Sequence, residues 1–318
     1  MGLFGNRSAV VPNGLKKKNK FLSLLTENWQ LHLLVLPALL HILVFDYFPL
    51  YGVQIAFRKF LPGSGIWGSE WAGFYQFRRF FNSYVFWELI RNTIVLSIYQ
   101  LVAGFPLPII LALMLNQSNN PKFRKFVQTV TYAPHFVSIV VLGGIIFILL
   151  SPSSGVINHF LEMLGHERIF FMGDPRWYRT IYVASGLWQS TGWSAIVFVA
   201  ALSSIDPSLY ESARVDGANK WHLIRHIDIP GILPTIIIML ILSLGRLFGV
   251  GFDKSYLLQN ELNVGVSEVI STYVYKIGLL SAQFSYASAV GVFNNIINLI
   301  LLVTVNKIAR TVSDISLW

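Results

Sequence analysis

The sequence predicts an all-α membrane protein of six transmembrane helices, and three observations carry that prediction. Hydrophobic side chains make up 54% of the 318 residues and charged ones only 12%, about half the charged share of a soluble domain, so most of the chain needs lipid as its solvent. Six apolar runs reach the roughly 20 residues with which a helix crosses about 30 Å of hydrocarbon. The runs are continuously apolar and lack the two-residue alternation of barrel strands.

In chain order the runs are 31–50, 93–115, 127–150, 180–202, 232–250 and 286–305. The first follows LKKKNK, as a secretory signal would, but it is too long for one and no A-x-A cleavage site follows. The second contains FPLPII, so Pro106 and Pro108 should bend or locally open it, which a membrane helix tolerates where neighbours satisfy the freed carbonyls. Before it, WAGFYQFRRFF mixes aromatics with arginines as a membrane interface does. Ahead of the fourth run, Asp174-Pro175 in MGDPRWY marks a turn or helix start. A possible seventh span, 264–282, carries Glu268 and Lys276, each costing roughly 2.5 to 3.5 kcal/mol near the middle of a membrane helix. It therefore reads as an amphipathic helix at the outer surface.

The sidedness follows from charge. The N-terminal tail, the loop with Lys122, Arg124 and Lys125, the loop after the fourth run and the C-terminal tail hold 13 Lys and Arg against 11 on the other side. Acidic residues widen the difference to net +7 against +2. The more basic side is expected to be cytoplasmic. Both termini then lie inside, and the chain divides into a tail over 1–28, a membrane domain over 29–310 that includes the loop 203–231, and a tail over 311–318. None of the tails or loops is long enough to bury a core of its own. With no cysteine in the chain, disulfide frameworks and thiolate metal sites are excluded.

The loop after the fourth run reads SSIDPSLYESARVDGANKWHLIRHIDIPGILP. Asp206 is an N-cap side chain and Pro207 favours the first helical position, so a short helix should run over 207–215 and end or turn at Gly217. A second segment with Trp221, Leu223, Ile224 and Ile227 should stop at Pro230 and Pro234, giving a helix-turn-helix along the cytoplasmic surface. Ala213 and Gly217, four apart, share a face on which another protein could sit closely, edged by Glu211, Arg214 and Asp216.

Glu211, Ala213 and Gly217, followed after nine residues by Ile227, Ile229 and Pro230, resemble the EAA loop of the membrane subunits of binding-protein-dependent ABC importers, E-A-A, three residues, G, nine residues, I-x-L-P. Ser212 stands in place of the first Ala and Ile229 in place of the Leu. Other stretches, among them YFPLYGVQIAF, FPLPIILALMLN, SGLWQSTGWSAIVFVAALSS, YLLQN and FSYASAVGVFNN, extend the similarity over most of the chain from about Trp29, toward the carbohydrate-importing branch and its polysaccharide permeases, those of alginate importers included. The resemblance implies the ABC importer permease fold, with the loop as a coupling helix docked in a cytoplasmic ATPase. It also implies partners: a second permease subunit completing a heterodimer, two ATPase subunits that bind the ATP and Mg, and an extracytoplasmic sugar-binding protein, all at a bacterial inner membrane. No cofactor belongs to this chain, and lipid rather than nucleic acid surrounds it.

Other classes find less in the sequence. No G-x-x-x-x-G-K-[ST] loop is present, so the chain should not hydrolyse ATP itself, and HERIF at 166–170 lacks the second histidine of a zinc H-E-x-x-H. His222 and His226 have the spacing of two ligands on one helix face but no evident third. An ion-coupled secondary transporter would need acidic residues inside the bundle, whereas Asp46 and Asp253 fall near the outer ends of their runs. A permease of the same class for a non-sugar solute is the other alternative. A sugar path needs aromatic faces together with amides or hydroxyls, and Trp188, Gln189 and Trp193 in the fourth run and Phe293, Asn294 and Asn295 in the sixth supply that mixture; packing or interfacial anchoring would explain each singly. Arg246, within the fifth run, should snorkel, pair with Asp253, or face the pore, where its fork could receive an acidic sugar.

Overall fold

The computed structural model describes residues 29–313; the two expected tails, apart from 311–313, lie outside them. The chain forms two units, one up to Val53 and one from Gln54 onward. In the first, α1 (Trp29–Ile42) continues through a π-turn at Leu43–Tyr47, and every side chain from Trp29 to Leu50 is exposed.

The second unit opens with a two-residue antiparallel pair, β1 (Arg58–Lys59) with β2 (Glu70–Trp71), the only strands among the described residues. Helices then follow in order: α2 (Tyr75–Phe81), α3 (Phe86–Gly104), α4 (Pro106–Asn116), α5 (Pro121–Tyr132), α6 (Ile139–Leu149), α7 (Val156–Met163), α8 (Pro175–Ser203), α9 (Pro207–Val215), α10 (Lys220–Leu223), α11 (Ile229–Leu244), α12 (Phe252–Leu258), α13 (Val264–Ser267), α14 (Ile270–Tyr275) and α15 (Phe284–Ser313). Among the described residues four helical stretches are long and apolar enough to cross a membrane, and six if two bent pairs each count as one span.

The helix starts obey local chemistry. Asp174 caps α8 by accepting from the Arg176 N–H at 3.0 Å, with Pro175 at the first position. Pro106 and Pro108 leave only Phe105 between α3 and α4, and the Phe105 N–H still reaches the Leu101 carbonyl at 2.9 Å. The second span is therefore one 31-residue stretch, Phe86–Asn116.

Helix α8 is the hub, packed on α3, α4, α5, α11 and α13. One buried cluster joins Leu96, Leu142, Tyr178, Tyr182, Val183 and Val269. Another joins Ala112, Ala195, Phe198, Leu202 and Ile232. In lipid such contacts draw on close packing rather than on expulsion of water, so small residues matter at crossings. Gly192 is the clearest case: a Cβ there would overlap the carbonyl of Thr131 on α5.

Four expectations need correcting. The third run is not one helix, because α5 and α6 meet at 100°. Pro134 cannot donate to an α ladder, and Ser138 restarts the helix by accepting from the Val141 N–H at 3.3 Å. Gln189 supplies the missing donor, its Nε2 lying 2.8 Å from the freed Val137 carbonyl. The fifth run ends early, at Leu244, since Gly245, Gly249 and Gly251 follow within seven residues. At its other end the proline pair stops nothing: Lys220–Leu244 is continuous, with a π-turn at Ile224–Asp228 in which the Ile229 N–H reaches the Ile224 carbonyl. Pro230 thus sits in the first turn beyond a widened coil, and Pro234 lies inside the helix that follows.

Segment 264–282, finally, is no surface helix. It is broken into α13, α14 and a π-turn, and Ser267, Val269, Ile270 and Thr272 are buried. Its two charges neutralise each other, Lys276 Nζ lying 2.7 Å from Glu268 Oε1. Asn92 donates to the carbonyls of Gly265 and Glu268, and the Ile270 N–H donates to Thr93. Those bonds meet the requirement that irregular backbone in a bundle be satisfied by protein.

Candidate functional site

The short helix α9 turns out from α8 at 72°. Asp206 caps it, accepting from the Ser208 N–H at 2.9 Å. That backbone bond, with the Ser208 hydroxyl, holds the Asp206 carboxyl below the usual carboxylate range. At the far end the Gly217 N–H bonds Arg214 O at 3.1 Å and the Ala218 N–H bonds Ala213 O at 2.9 Å. This is the paired closure of a Schellman cap, which requires a left-handed residue; Gly217 has φ +80°. The spacing from Glu211 to Gly217 is thus the length of a last helical turn plus its terminator. Glu211 and Arg214 are exposed and Ala213 is half-buried, so the face they make is open.

Ile227, Ile229 and Pro230 lie where the loop becomes the fifth span. Between them, Asp228 is fully buried and gathers three donors from two other elements. The Tyr210 hydroxyl on α9 donates to Oδ1 at 2.6 Å, Asn116 Nδ2 at the end of α4 donates to Oδ1 at 3.0 Å, and Gln117 Nε2 donates to Oδ2 at 2.6 Å. Lys220 Nζ donates to the Gln117 carbonyl at 3.0 Å. Sequence reasoning passed over Asp228 because it falls at an unspecified position of the motif; a lone acid among apolar residues was the available signal. His222 and His226 are exposed, with His226 Nδ1 3.1 Å from the His222 carbonyl.

Farther along the bundle lies a cavity of about 320 Å³ walled by α3, α4, α8, α11 and the segment after α11. Its polar lining is Ser97, Gln100, Ser190, Ser194, Ser243 and Arg246. Arg246 sits in the irregular segment beyond Leu244, its N–H bonded to the Ser243 carbonyl at 3.2 Å. Its side chain is exposed and makes no ion pair among the described residues, with Asp253 or any other acid. The Ser97 hydroxyl is buried without a partner among the described residues. Behind the wall at Gly186, buried Lys254 donates to the Tyr182 carbonyl and lies 4.2 Å from that ring's centre. The pair Ser190 and Ser194, one helical turn apart with Gly186 a turn before them, was legible in the sequence and overlooked in favour of the tryptophans.

The other sequence candidates stand elsewhere. Gln189 is committed to Val137, and Trp193 stacks on His135 with ring centres 4.4 Å apart. Trp188 is half exposed. Phe293 packs among Phe80, Phe81 and Phe86, while Asn294 is half-buried and Asn295 exposed. Of the candidate path residues, only Arg246 lines the cavity. At the end of α3 and α8 away from α9, a second recess of about 430 Å³ is lined by Trp87, Glu88, Arg91, Asn92 and Arg179; Arg179 donates to Asn92 Oδ1 at 3.0 Å.

An apolar bundle broken around a polar cavity, with a capped helix turned out at one end, defines a membrane translocation subunit. The chain belongs to the family of binding-protein-dependent transport system inner membrane components, whose profile matches residues 104–313. It is 41% identical over 302 residues, 95% of this chain and 94% of the relative, to the polygalacturonan/rhamnogalacturonan transport system permease protein YteP of Bacillus subtilis (strain 168). A crystal structure of a bacterial ABC transporter involved in the import of the acidic polysaccharide alginate contains a chain 40% identical, with a TM-score of 0.85 over 93% of this chain and all of that one. A chain of the bacterial alginate ABC transporter in complex with an alginate pentasaccharide-bound periplasmic protein is 38% identical, with a TM-score of 0.86 over 94% of this chain and all of that one. The chain is therefore an inner-membrane permease subunit of an ABC importer, not an enzyme, and the ion-coupled secondary transporter is set aside.

Proposed function

We propose that this chain forms half of the translocation pore of an importer of acidic oligosaccharides. The carrying observation is Arg246, an arginine without an ion pair among the described residues, facing a cavity whose other polar lining is serine hydroxyls and one amide, set among apolar side chains. A guanidinium binds a carboxylate through two parallel hydrogen bonds, and serine hydroxyls with Gln100 suit the ring substituents of a sugar. The relatives named for polygalacturonan and alginate transport support the substrate class; an ABC permease for a non-sugar solute is the rival.

In this reading a second, different permease chain completes the pore, and a sugar-loaded binding protein docks at the end opposite α9. Two ATPase subunits, which bind the ATP and Mg, receive α9 on the cytoplasmic side. The residues assigned to that docking are Glu211, Ala213 and Gly217 on the helix and its cap, with Ile227, Ile229 and Pro230 at the joint to the fifth span. ATP binding closes the ATPase pair, drawing the docked helices together and opening the pore outward; hydrolysis returns it inward. Trp188, Gln189, Trp193, Phe293, Asn294 and Asn295 are then packing or partner-facing residues more than sugar contacts.

The test is a substitution series at Arg246 in the assembled importer. Lys keeps the charge and loses the fork, and Gln loses both. Uptake of oligogalacturonate should fall in the order Arg246, Lys, Gln, by roughly tenfold or more for Gln, the worth of a charged hydrogen bond, while any uptake of a neutral oligosaccharide is spared. Equal losses for both substrates would make Arg246 part of the scaffold and remove the support for an acidic cargo.

A further inference from the structure

Helix α9 buries none of its residues, so apolar packing does not hold it against the bundle. Its cap at Gly217 leads into α10 across a position where a Cβ would meet nothing within 4 Å. The side-chain tie that remains is at Tyr210, whose hydroxyl lies 2.6 Å from Asp228 Oδ1 and 3.3 Å from Asn116 Nδ2. Asp228 is the last residue of the π-turn that opens the fifth span, and Asn116 and Gln117 end the second. Three elements that are distant in sequence thus meet on one fully buried carboxyl group.

We propose that Asp228 is a positioning residue that locks α9 to the bases of the second and fifth spans, so that a displacement of α9 passes to both as one rigid body. This rests on the reading of α9 as the ATPase-docking helix and adds how its motion enters the membrane. The geometry suits the task because all three partners donate: Tyr210 O–H, Asn116 Nδ2 and Gln117 Nε2 all point at carboxyl oxygens. An amide at 228 would present a donor to donors, and an apolar side chain would leave three buried donors without an acceptor. Both spans border the polar cavity, which is walled by Gly104, Phe105 and Pro108 from one and Met239 and Ser243 from the other. A rigid joint at 228 therefore connects the docking helix to two of the cavity's walls.

The test uses the assembled importer in proteoliposomes, with spin labels on Ser212→Cys in α9 and Asn119→Cys beyond α4, in a chain that has no cysteine to remove. In the parent the label distance should be narrow and unchanged by ATP. Tyr210→Phe, which deletes one hydroxyl and leaves the ring, and Asp228→Asn should broaden that distance or make it respond to ATP. They should also lower oligogalacturonate uptake per ATP hydrolysed by about tenfold, with ATPase subunits still copurifying. Asp228→Leu should do so more strongly; if it fails to assemble, Tyr210→Phe alone decides. Unchanged distances and an unchanged uptake-to-hydrolysis ratio in Tyr210→Phe would overturn the proposal. A parent chain that captures no ATPase subunit, or captures one that Gly217→Trp does not displace, would instead overturn the docking reading beneath it.

Discussion

At Gly192 two opposing terms meet on one atom. Replacing a helical glycine by alanine gains about 1 kcal/mol of helix propensity, and in an open position the gain would stand. Here the added Cβ points into the backbone carbonyl of Thr131, which cannot rotate away as a side chain could, and overpacking of this kind costs about 1 to 3 kcal/mol. Gly192→Ala should therefore lower the unfolding temperature in detergent, and Gly192→Val should lower it further; a stabilised alanine variant would mean that α5 and α8 do not approach so closely. Single residues were also where the sequence was most and least readable. Asp174, Asp206 and Gly217 announced their roles because a cap is made within four residues. Asp228 did not, and Arg246 left three readings open, since an acid's partners on α4 and α9, and a cavity formed by five elements, are set only by folding.

Elements show the same division. The starts of α8 and α9 follow from Asp-Pro, but the break in the third span does not, since Pro134 and Ser138 say only that the helix is weak there. The 100° angle between α5 and α6 is stabilised from outside, by Gln189 on α8 bonding the Val137 carbonyl at 2.8 Å. Gln189→Leu leaves that carbonyl without its donor, at a cost of about 1 to 3 kcal/mol for an unsatisfied polar group, and should make backbone amides near the joint exchange faster with solvent deuterium than in the parent. In α9 the element's end carries the prediction. Gly217 sits at φ +80° with nothing within 4 Å of a Cβ, so backbone strain and added bulk act separately. Asn tolerates the left-handed region; Gly217→Asn should keep both the fold and copurification of the ATPase, whereas Gly217→Trp should insert in the membrane and lose ATPase-linked transport. If sugar-stimulated hydrolysis survives Gly217→Trp, α9 does not dock by this face.

For the whole molecule the open quantity is direction across the membrane, because helices of this kind would be equally stable inverted. What sets direction is the loop charge met during insertion, and six spans read from the sequence would give a modest difference, 13 Lys and Arg on the α9 side against 11 opposite. Several of the opposite charges are neutralised: Lys59 by Glu70 at 3.0 Å, Arg168 by Glu162 at 2.8 Å, Arg176 by Asp174 at 2.6 Å and Lys276 by Glu268 at 2.7 Å. The Arg168 hydrogen bond holds the Glu162 carboxyl below its ordinary range, so that pair stays ionised down to lower pH than an isolated glutamate would. On the α9 side Lys122, Arg124 and Lys125 make no ion pair among the described residues, and uncompensated short-loop cations are those retained in the cytoplasm. Single cysteines should therefore divide by side in intact cells treated with an impermeant thiol reagent. Glu167→Cys, exposed in the loop before α8, should react at once, while Ser8→Cys and Ser316→Cys in the two tails should react only after the membrane is opened. Labelling of either tail in intact cells would invert the assignment, placing α9 outside and out of reach of any ATPase.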